Sequence, residues 1–401
     1  MNTAPPNIAP TRSTAAPLLV LGGGPIGLVC ALLLARHGWP CTLVDARPVQ
    51  ALQRDRRLLA LSRGTLDTLA PLVGTRFAPR GDITRIHVSS RGHPGSAWLG
   101  AADFDGQPLG ATVWYADLVA ALAQAVQDEP LVRVLRPRRA LQVRQSTAEV
   151  SVELDDGSLI SGSLVIDAEG TPPPRADATH CAVLAELEVQ LEAGAAIERF
   201  TSEGPLALLP LPQDPGATAG TAAGPWRRVS MIWCLPAELA RERYALDEGQ
   251  LCERLGLALG LRLGAPRSIG PRTLFPLHTH RLAEVCEHRI VRLGNAAQSL
   301  HPVAGQGFNL GMRDCRVLIQ CLIDDPLQAS APDALRALRR YATRRRVDRS
   351  VFPALTSALP PLFASRLPPV VAARSAALLA IDLLPGVRRS FTRLLMFGAA
   401  H

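Results

Sequence analysis

Residues 18–45 restrict the fold of this 401-residue chain more than any other segment. An apolar run at 18–21 leads into Gly22-Gly23-Gly24-Pro25-Ile26-Gly27, then apolar residues at helical spacing over 28–36, then a second apolar run at 41–44 closing on Asp45. Strand, glycine turn, helix and strand in that order open a parallel sheet with a ligand at the carboxyl end of the first strand. Gly22 allows the tight turn, Gly24 lets a pyrophosphate approach the backbone, and Gly27 permits close packing of helix on strand. The start of the helix adds positive potential. Asp45 stands about 20 residues beyond the motif, where a carboxylate accepts hydrogen bonds from an adenosine ribose. FAD and NAD both fit this unit. Arg47 as a partner for a 2′-phosphate carries little weight, because the chain has no lysine and all 43 basic residues are arginine.

With 47% hydrophobic and 19% charged residues, the chain is a folding, multi-lobed globular protein rather than a disordered one. A net charge of +8 with 4% aromatics, and no basic run interleaved with aromatics, argues against nucleic acid and leaves an anionic cofactor or lipid surface. Eight scattered cysteines without a CxxC pair read as reduced, mostly buried thiols of a cytoplasmic protein. His278 and His280 would share one face of a strand, but no Cys or carboxylate stands at ligand spacing, so no metal is expected. Residues 1–17 read as a disordered leader, and no run of 18 apolar residues marks a membrane span.

Further along, periodicity predicts a helix over 58–72, a strand over 83–90, a helix over 113–126, and a hairpin of 148–154 with 159–166 about the Asp155-Asp156-Gly157 turn. Segments of β character fill 182–233 and form a second lobe, with a Gly/Ala/Thr/Pro loop at 213–224. A helix is expected over 237–256, strands over 272–277 and 289–293, and a long helix opening near Gly307. The last fifty residues mix Leu, Val, Phe and Ala with Arg366, Arg374, Arg388, Arg389 and Arg393. They fit a helical cap packed on the sheet, with contact to a membrane surface as the alternative.

Residues 291–314 supply a second strand, glycine-rich loop and helix, holding Gly294, Asn295, His301, Pro302, Gly305, Gln306, Gly307, Asn309, Gly311 and Asp314. Together with Asp55 and Arg57 ahead of 58–61, the stretch 87–93, and Glu198-Arg199-Phe200-Thr201 running to Gly204-Pro205-Leu206-Ala207, it resembles the class A flavin monooxygenases, and among them the ubiquinone-biosynthesis hydroxylases. The resemblance runs from residue 18 to the C-terminus. It implies an α/β fold: a Rossmann-type FAD-binding domain (18–80, 112–175 and 272–350), an interleaved β-sheet substrate domain (81–111 and 176–271), and a C-terminal helical segment (351–401). It also implies that Gly22, Gly24, Gly27, Asp45, Arg57, Asn295, Gly305, Gln306, Gly307 and Asn309 hold FAD, with Asn295 against the ribityl chain and the 302–307 loop near the isoalloxazine.

The reaction implied is reduction of FAD by a transient NAD(P)H, addition of O₂ to give a flavin hydroperoxide, and hydroxylation of a 2-polyprenyl-6-methoxyphenol-like ring. A prenylated substrate would place the protein in the cytoplasm at the inner membrane face, or in a ubiquinone-biosynthesis complex. His301 and Pro302 are the flavin-proximal candidates, His301 either moving protons or holding the loop by hydrogen bonds. Two departures stand out: Glu169 replaces the expected Asp at a strand end, and the segment 171–175 is short. They motivate the rival reading of a degenerate flavin-fold subunit that binds prenylated quinone precursors without turnover. A halogenase on this fold would need the lysine the chain lacks, and a reductase would turn over without oxygen.

Overall fold

The structure is a computed structural model, and it describes residues 17–52, 54–76, 80–147, 149–170, 178–212, 226–260, 263–300, 305–324 and 332–398. Two lobes and a C-terminal helical layer meet along one cleft.

In the first lobe, strands Val132–Leu135, Cys41–Val44, Leu18–Leu21, Leu164–Asp167 and Ile290–Arg292 lie side by side in parallel, with Cys286–Glu287 as an antiparallel edge. Their side chains alternate between two cores, as a pleated strand requires. Leu18, Val20, Leu43, Leu164 and Ile166 face the helices Pro25–Arg36, Tyr115–Gln127 and Gln306–Asp324. Leu19, Leu21, Val44 and Val165 face an antiparallel meander of Ala140–Gln145, Val150–Leu154 and Leu159–Gly162. Covered on both faces, these strands read as unbroken apolar runs.

The second lobe is a largely antiparallel sheet whose long strands are His180–Gln190, Ala195–Phe200, Pro205–Pro210 and Trp226–Pro236, extended by Arg85–Ser90 and Ser96–Gly100. Leu206, Leu208, Met231 and Trp233 pack beneath the helices Ala237–Ala245 and Glu248–Leu259. The alternate residues Ala207, Leu209 and Ile232 line the cleft. The helices Asp348–Ala364, Pro368–Leu383 and Pro385–Phe397 close over that side. Phe363 and Leu378 pack on Ala97 and Phe200, and Met396 on Leu99 and Leu109. The Phe200 and Phe363 rings stack with centroids 3.9 Å apart. Arg388 grips Asp103 through two hydrogen bonds of 2.9 and 2.8 Å, and Asp382 accepts the Trp98 N–H at 2.9 Å. The C-terminal segment is therefore a cap built into the molecule.

Several local expectations change. The helix expected over 58–72 is a strand, Leu58–Ser62, followed by a helix, Arg63–Val73. Leu58 to Ser62 pair with Trp114 to Gly110, and this partner converts a short apolar run, ambiguous between helix and strand, into a strand. For the same reason the helix expected from 113 starts at Tyr115, after the strand Gly110–Trp114. The helix expected over 237–256 breaks at Leu246, where Asp247 caps a new helix by accepting the Gln250 N–H at 2.8 Å. The second hairpin strand ends at Gly162, and Leu164–Asp167 crosses into the parallel sheet. His278 and His280 do not share a strand: one ends at Leu277 and the next begins at His280. No cluster of three or more metal-ligating side chains occurs among the described residues. The leader, the 213–224 loop and the short 171–175 segment lie outside the described residues, apart from Pro17.

Candidate flavin site and cleft

Gly22 has φ +96°, and a Cβ there would lie 2.4 Å from the Ala168 carbonyl oxygen, so no side chain fits the turn. Its N–H donates to the Val44 carbonyl at 2.7 Å, tying the turn to the second strand. A Cβ on Gly27 would meet the Gly22 carbonyl oxygen at 1.8 Å, which is the close helix-on-turn packing expected of that glycine. Gly24 is different: the nearest atoms to a Cβ there are Tyr115 Oη at 3.8 Å and Arg47 Nη2 at 3.9 Å. Neighbouring protein atoms leave room at this position, in front of the first N–H groups of the helix Pro25–Arg36.

A second helix start faces the same space. Gly305, Gln306 and Gly307 line the cleft at the beginning of Gln306–Asp324, and a Cβ on Gly307 would meet nothing within 4 Å. Asn295 lies exposed in the cleft wall, on a turn whose Gly294 N–H donates to Asp314 Oδ2 at 3.0 Å. Asp314 is fully buried and is held in turn by Arg345, whose Nε donates at 2.8 Å and which also pairs with Asp348. Arg313 Nη2 donates to Gln306 Oε1 at 3.2 Å and to the Leu395 carbonyl at 3.0 Å. Neighbouring residues of the long helix, Asp314 and Arg313, therefore tie it to the loop at 294 and to the last helix.

Three predicted contacts take more particular roles. Asn309 uses both lone pairs of Oδ1, accepting from Ser62 N–H and Thr65 Oγ1 at 2.8 Å each, and both amide protons, donating to the Ala60 and Gly305 carbonyls at 3.0 and 2.9 Å. With all four sites taken by protein, the Asn309 amide is a brace for the loop, and Asn309 lines the cleft from there. Arg57 is bound to Asp55 by hydrogen bonds of 2.6 to 3.0 Å and lies 5.0 Å over the Tyr115 ring, at the cleft wall. Burial opposes the Asp55 charge, but the Arg57 guanidinium holds its carboxyl below the usual range. Asp45 is buried, its Oδ1 accepting the Arg47 N–H at 3.0 Å and its Oδ2 an N–H of Arg136 at 2.8 Å. His301 and Pro302 lie outside the described residues. Glu169 stands exposed at the cleft edge, its N–H donating to Asp167 Oδ1 at 3.1 Å.

Sequence reading missed Arg136, which holds Asp45, and Tyr115 in the cleft wall. Arg136 is one arginine in an arginine-rich chain, and Tyr115 opens a helix that periodicity had started two residues early. Neither carries a local signal.

From the glycine turn the cleft continues, with a volume of about 750 Å³, across the inner face of the second sheet to Leu359, Phe363, Leu378 and Ile381. Two helix N-termini, glycines with room in front of them and a carboxylate at the end of the second strand suit FAD at one end. The rest suits an apolar ring.

Residues 15–350 match the family described as FAD binding domain. The chain belongs to that family. It is 29% identical over 397 residues to the Rhodospirillum rubrum protein named ubiquinone hydroxylase UbiL, covering 94% of this chain and 89% of that one. It is 28% identical over 375 residues to the Escherichia coli 3-demethoxyubiquinol 3-hydroxylase, covering 86% and 91%. Its fold is like that of PqsL, a probable FAD-dependent monooxygenase of Pseudomonas aeruginosa, with a TM-score of 0.69 at 18% identity over 91% of this chain and all of that one. FAD is the cofactor of this fold.

Proposed function

We propose that the protein is an FAD-dependent hydroxylase that uses NAD(P)H and O₂ to oxidise the aromatic ring of a polyprenylated phenol in ubiquinone biosynthesis. The observation that carries this reading is the continuous cleft that joins the flavin-binding turn to an apolar chamber roofed by the C-terminal helices. The names of the two relatives in quinone hydroxylation support the substrate class.

Reduced FAD supplies the oxygen chemistry. The protein's share is positional. The start of Gln306–Asp324 directs its positive end at the cleft and favours negative charge there. Asn309 fixes Gly305 against Ala60, so the loop that opens this helix keeps its shape. Ile232, Leu209, Phe200 and Phe363 form apolar walls that exclude water and align a flat ring. No side-chain nucleophile is required.

The proposal extends to location: the protein works in the cytoplasm, with its C-terminal helices against the inner membrane surface. Leu367, Leu383, Leu384 and Val387 are exposed on these helices, Leu383 by 70%. Arg366, Arg389 and Arg393 are exposed beside them, and Asp382 is the only acidic residue between 349 and 398. No single described helix is long and apolar enough to cross a membrane, and the last two helices meet at a 98° bend. An apolar, cationic elbow of this kind lies on an anionic bilayer. It also roofs the chamber, giving a prenylated phenol a short route from lipid.

Two measurements test the reading. The holoprotein should oxidise NAD(P)H faster with 2-polyprenyl-6-methoxyphenol, under air only, and yield a ring-hydroxylated product. Flavin binding without turnover would favour a non-catalytic carrier of quinone precursors, and oxygen-independent turnover a reductase. For location, the protein should float with vesicles containing phosphatidylglycerol and not with pure phosphatidylcholine. Equal behaviour with both would remove the membrane from the account.

A further inference from the structure

The middle glycine of the first turn, Gly23, has no assigned part in the dinucleotide fingerprint, where that position is free. Here a Cβ on Gly23 would lie 1.7 Å from Arg136 Nη2 and 2.6 Å from Asp45 Oδ2. Gly23 is a glycine because a guanidinium lies against its backbone. The sheet register explains why. Val44 pairs with Leu135, so the residues that follow the two strands, Asp45 and Arg136, leave the carboxyl edge side by side. Arg136 Nη2 donates to Asp45 Oδ2 at 2.8 Å and to the Gly23 carbonyl at 3.0 Å. The pair is buried, with 8% of the arginine side chain and 4% of the aspartate side chain exposed. Arg136 Nε is also buried and has no hydrogen-bond partner among the described residues.

We propose that Arg136 is a positioning residue for the adenosine end of FAD, clamping the Asp45 carboxylate to the glycine turn so that its remaining lone pairs face the ribose. The chemistry calls for such a clamp. Asp45 Oδ1 accepts the Arg47 N–H, with Arg47 Nε 3.5 Å away, and Oδ2 accepts from Arg136, which leaves each oxygen a second lone pair to offer a ribose hydroxyl. A bare carboxylate close to a diphosphate would repel it, and the Arg136 charge offsets that repulsion.

The test is flavin binding by the full-length chain stripped of cofactor, titrated with FAD and with FMN, which lacks the adenosine. Arg136→Ala should weaken FAD by about 10-fold or more, as expected when one partner of a buried charge pair is removed, and change FMN less than about 3-fold. Arg136→Lys should recover part of the loss, because it restores the charge without the fork. Gly23→Ala, which displaces the guanidinium while leaving it in the chain, should reproduce the selective loss. FAD binding that is unchanged or tighter in Arg136→Ala would overturn the proposal, as would equal losses for FAD and FMN, which mark general damage to the lobe. If Arg136→Ala does not fold, Gly23→Ala and Arg136→Lys decide by the same FAD-to-FMN comparison.

Discussion

At the glycine-turn end of the cleft the wall is backbone and charge: Gly24, Arg47, Arg57 and the starts of two helices, backed by Gly22, Gly27 and a buried aspartate clamped by arginine. Beneath the C-terminal helices the wall is apolar side chains, Phe200 stacked on Phe363 with Leu378 beside them. The first end is built on glycine turns encoded in short stretches of chain and then fastened by long-range hydrogen bonds such as Arg136 to Asp45, whereas the second exists only after segments over 150 residues apart have met. A site of the first kind suits the FAD that the family is described as binding. One of the second kind can vary with the substrate while the cofactor end stays fixed.

Four substitutions break or sharpen that contrast, and the largest effect should come from the network both ends share. Arg345→Ala leaves Asp314 buried without its cation and should cost about 3–5 kcal/mol in denaturant unfolding, loosening flavin and substrate binding together. Gly27→Ala drives a methyl group into the Gly22 carbonyl. A few kcal/mol of strain there should weaken FAD on the order of 100-fold in a flavin titration and leave the apolar chamber intact.

Phe363→Ala should do the reverse, raising KM for a prenylated phenol by about 10-fold while FAD affinity holds, since a stacked aromatic contributes on this scale. Equal changes in both would mean the ends are not separable. The smallest effect concerns how the cap is fastened. Hydrogen bonds and charge from Arg388 hold the Asp103 carboxyl below its usual range. A depressed carboxyl contributes stability that is complete above its unfolded value near pH 4 and is lost as pH falls through the lower folded value. Arg388→Ala should therefore cost about 1 kcal/mol at neutral pH and flatten the acid limb of a melting-temperature profile.

The same contrast explains what could be read from the chain. The glycine turn, Asp45 and the helix after Gly305 were legible because glycine spacing and apolar runs encode them locally. The strand at 58–62 was not, since a five-residue apolar run takes its conformation from Gly110–Trp114. Asn309 was legible as part of the flavin-loop helix, but the bracing role of its amide was not. An amide's partners depend on residues near 60 that lie far away in sequence. Arg136 was invisible because only the register of two parallel strands sets it beside Asp45. The C-terminal helices were legible as helices and as a cap, but their part in walling the chamber needed the partner faces.

The most direct measurement of the central claim, that one cleft brings FAD and a lipophilic aromatic ring together for hydroxylation, is turnover of the holoprotein with NAD(P)H and 2-polyprenyl-6-methoxyphenol under ¹⁸O₂, read by product mass. Incorporation of one ¹⁸O atom into the ring, abolished when FAD is removed, is the predicted result. Product bearing oxygen from water, or bound FAD and substrate with no oxygen transferred, would contradict it.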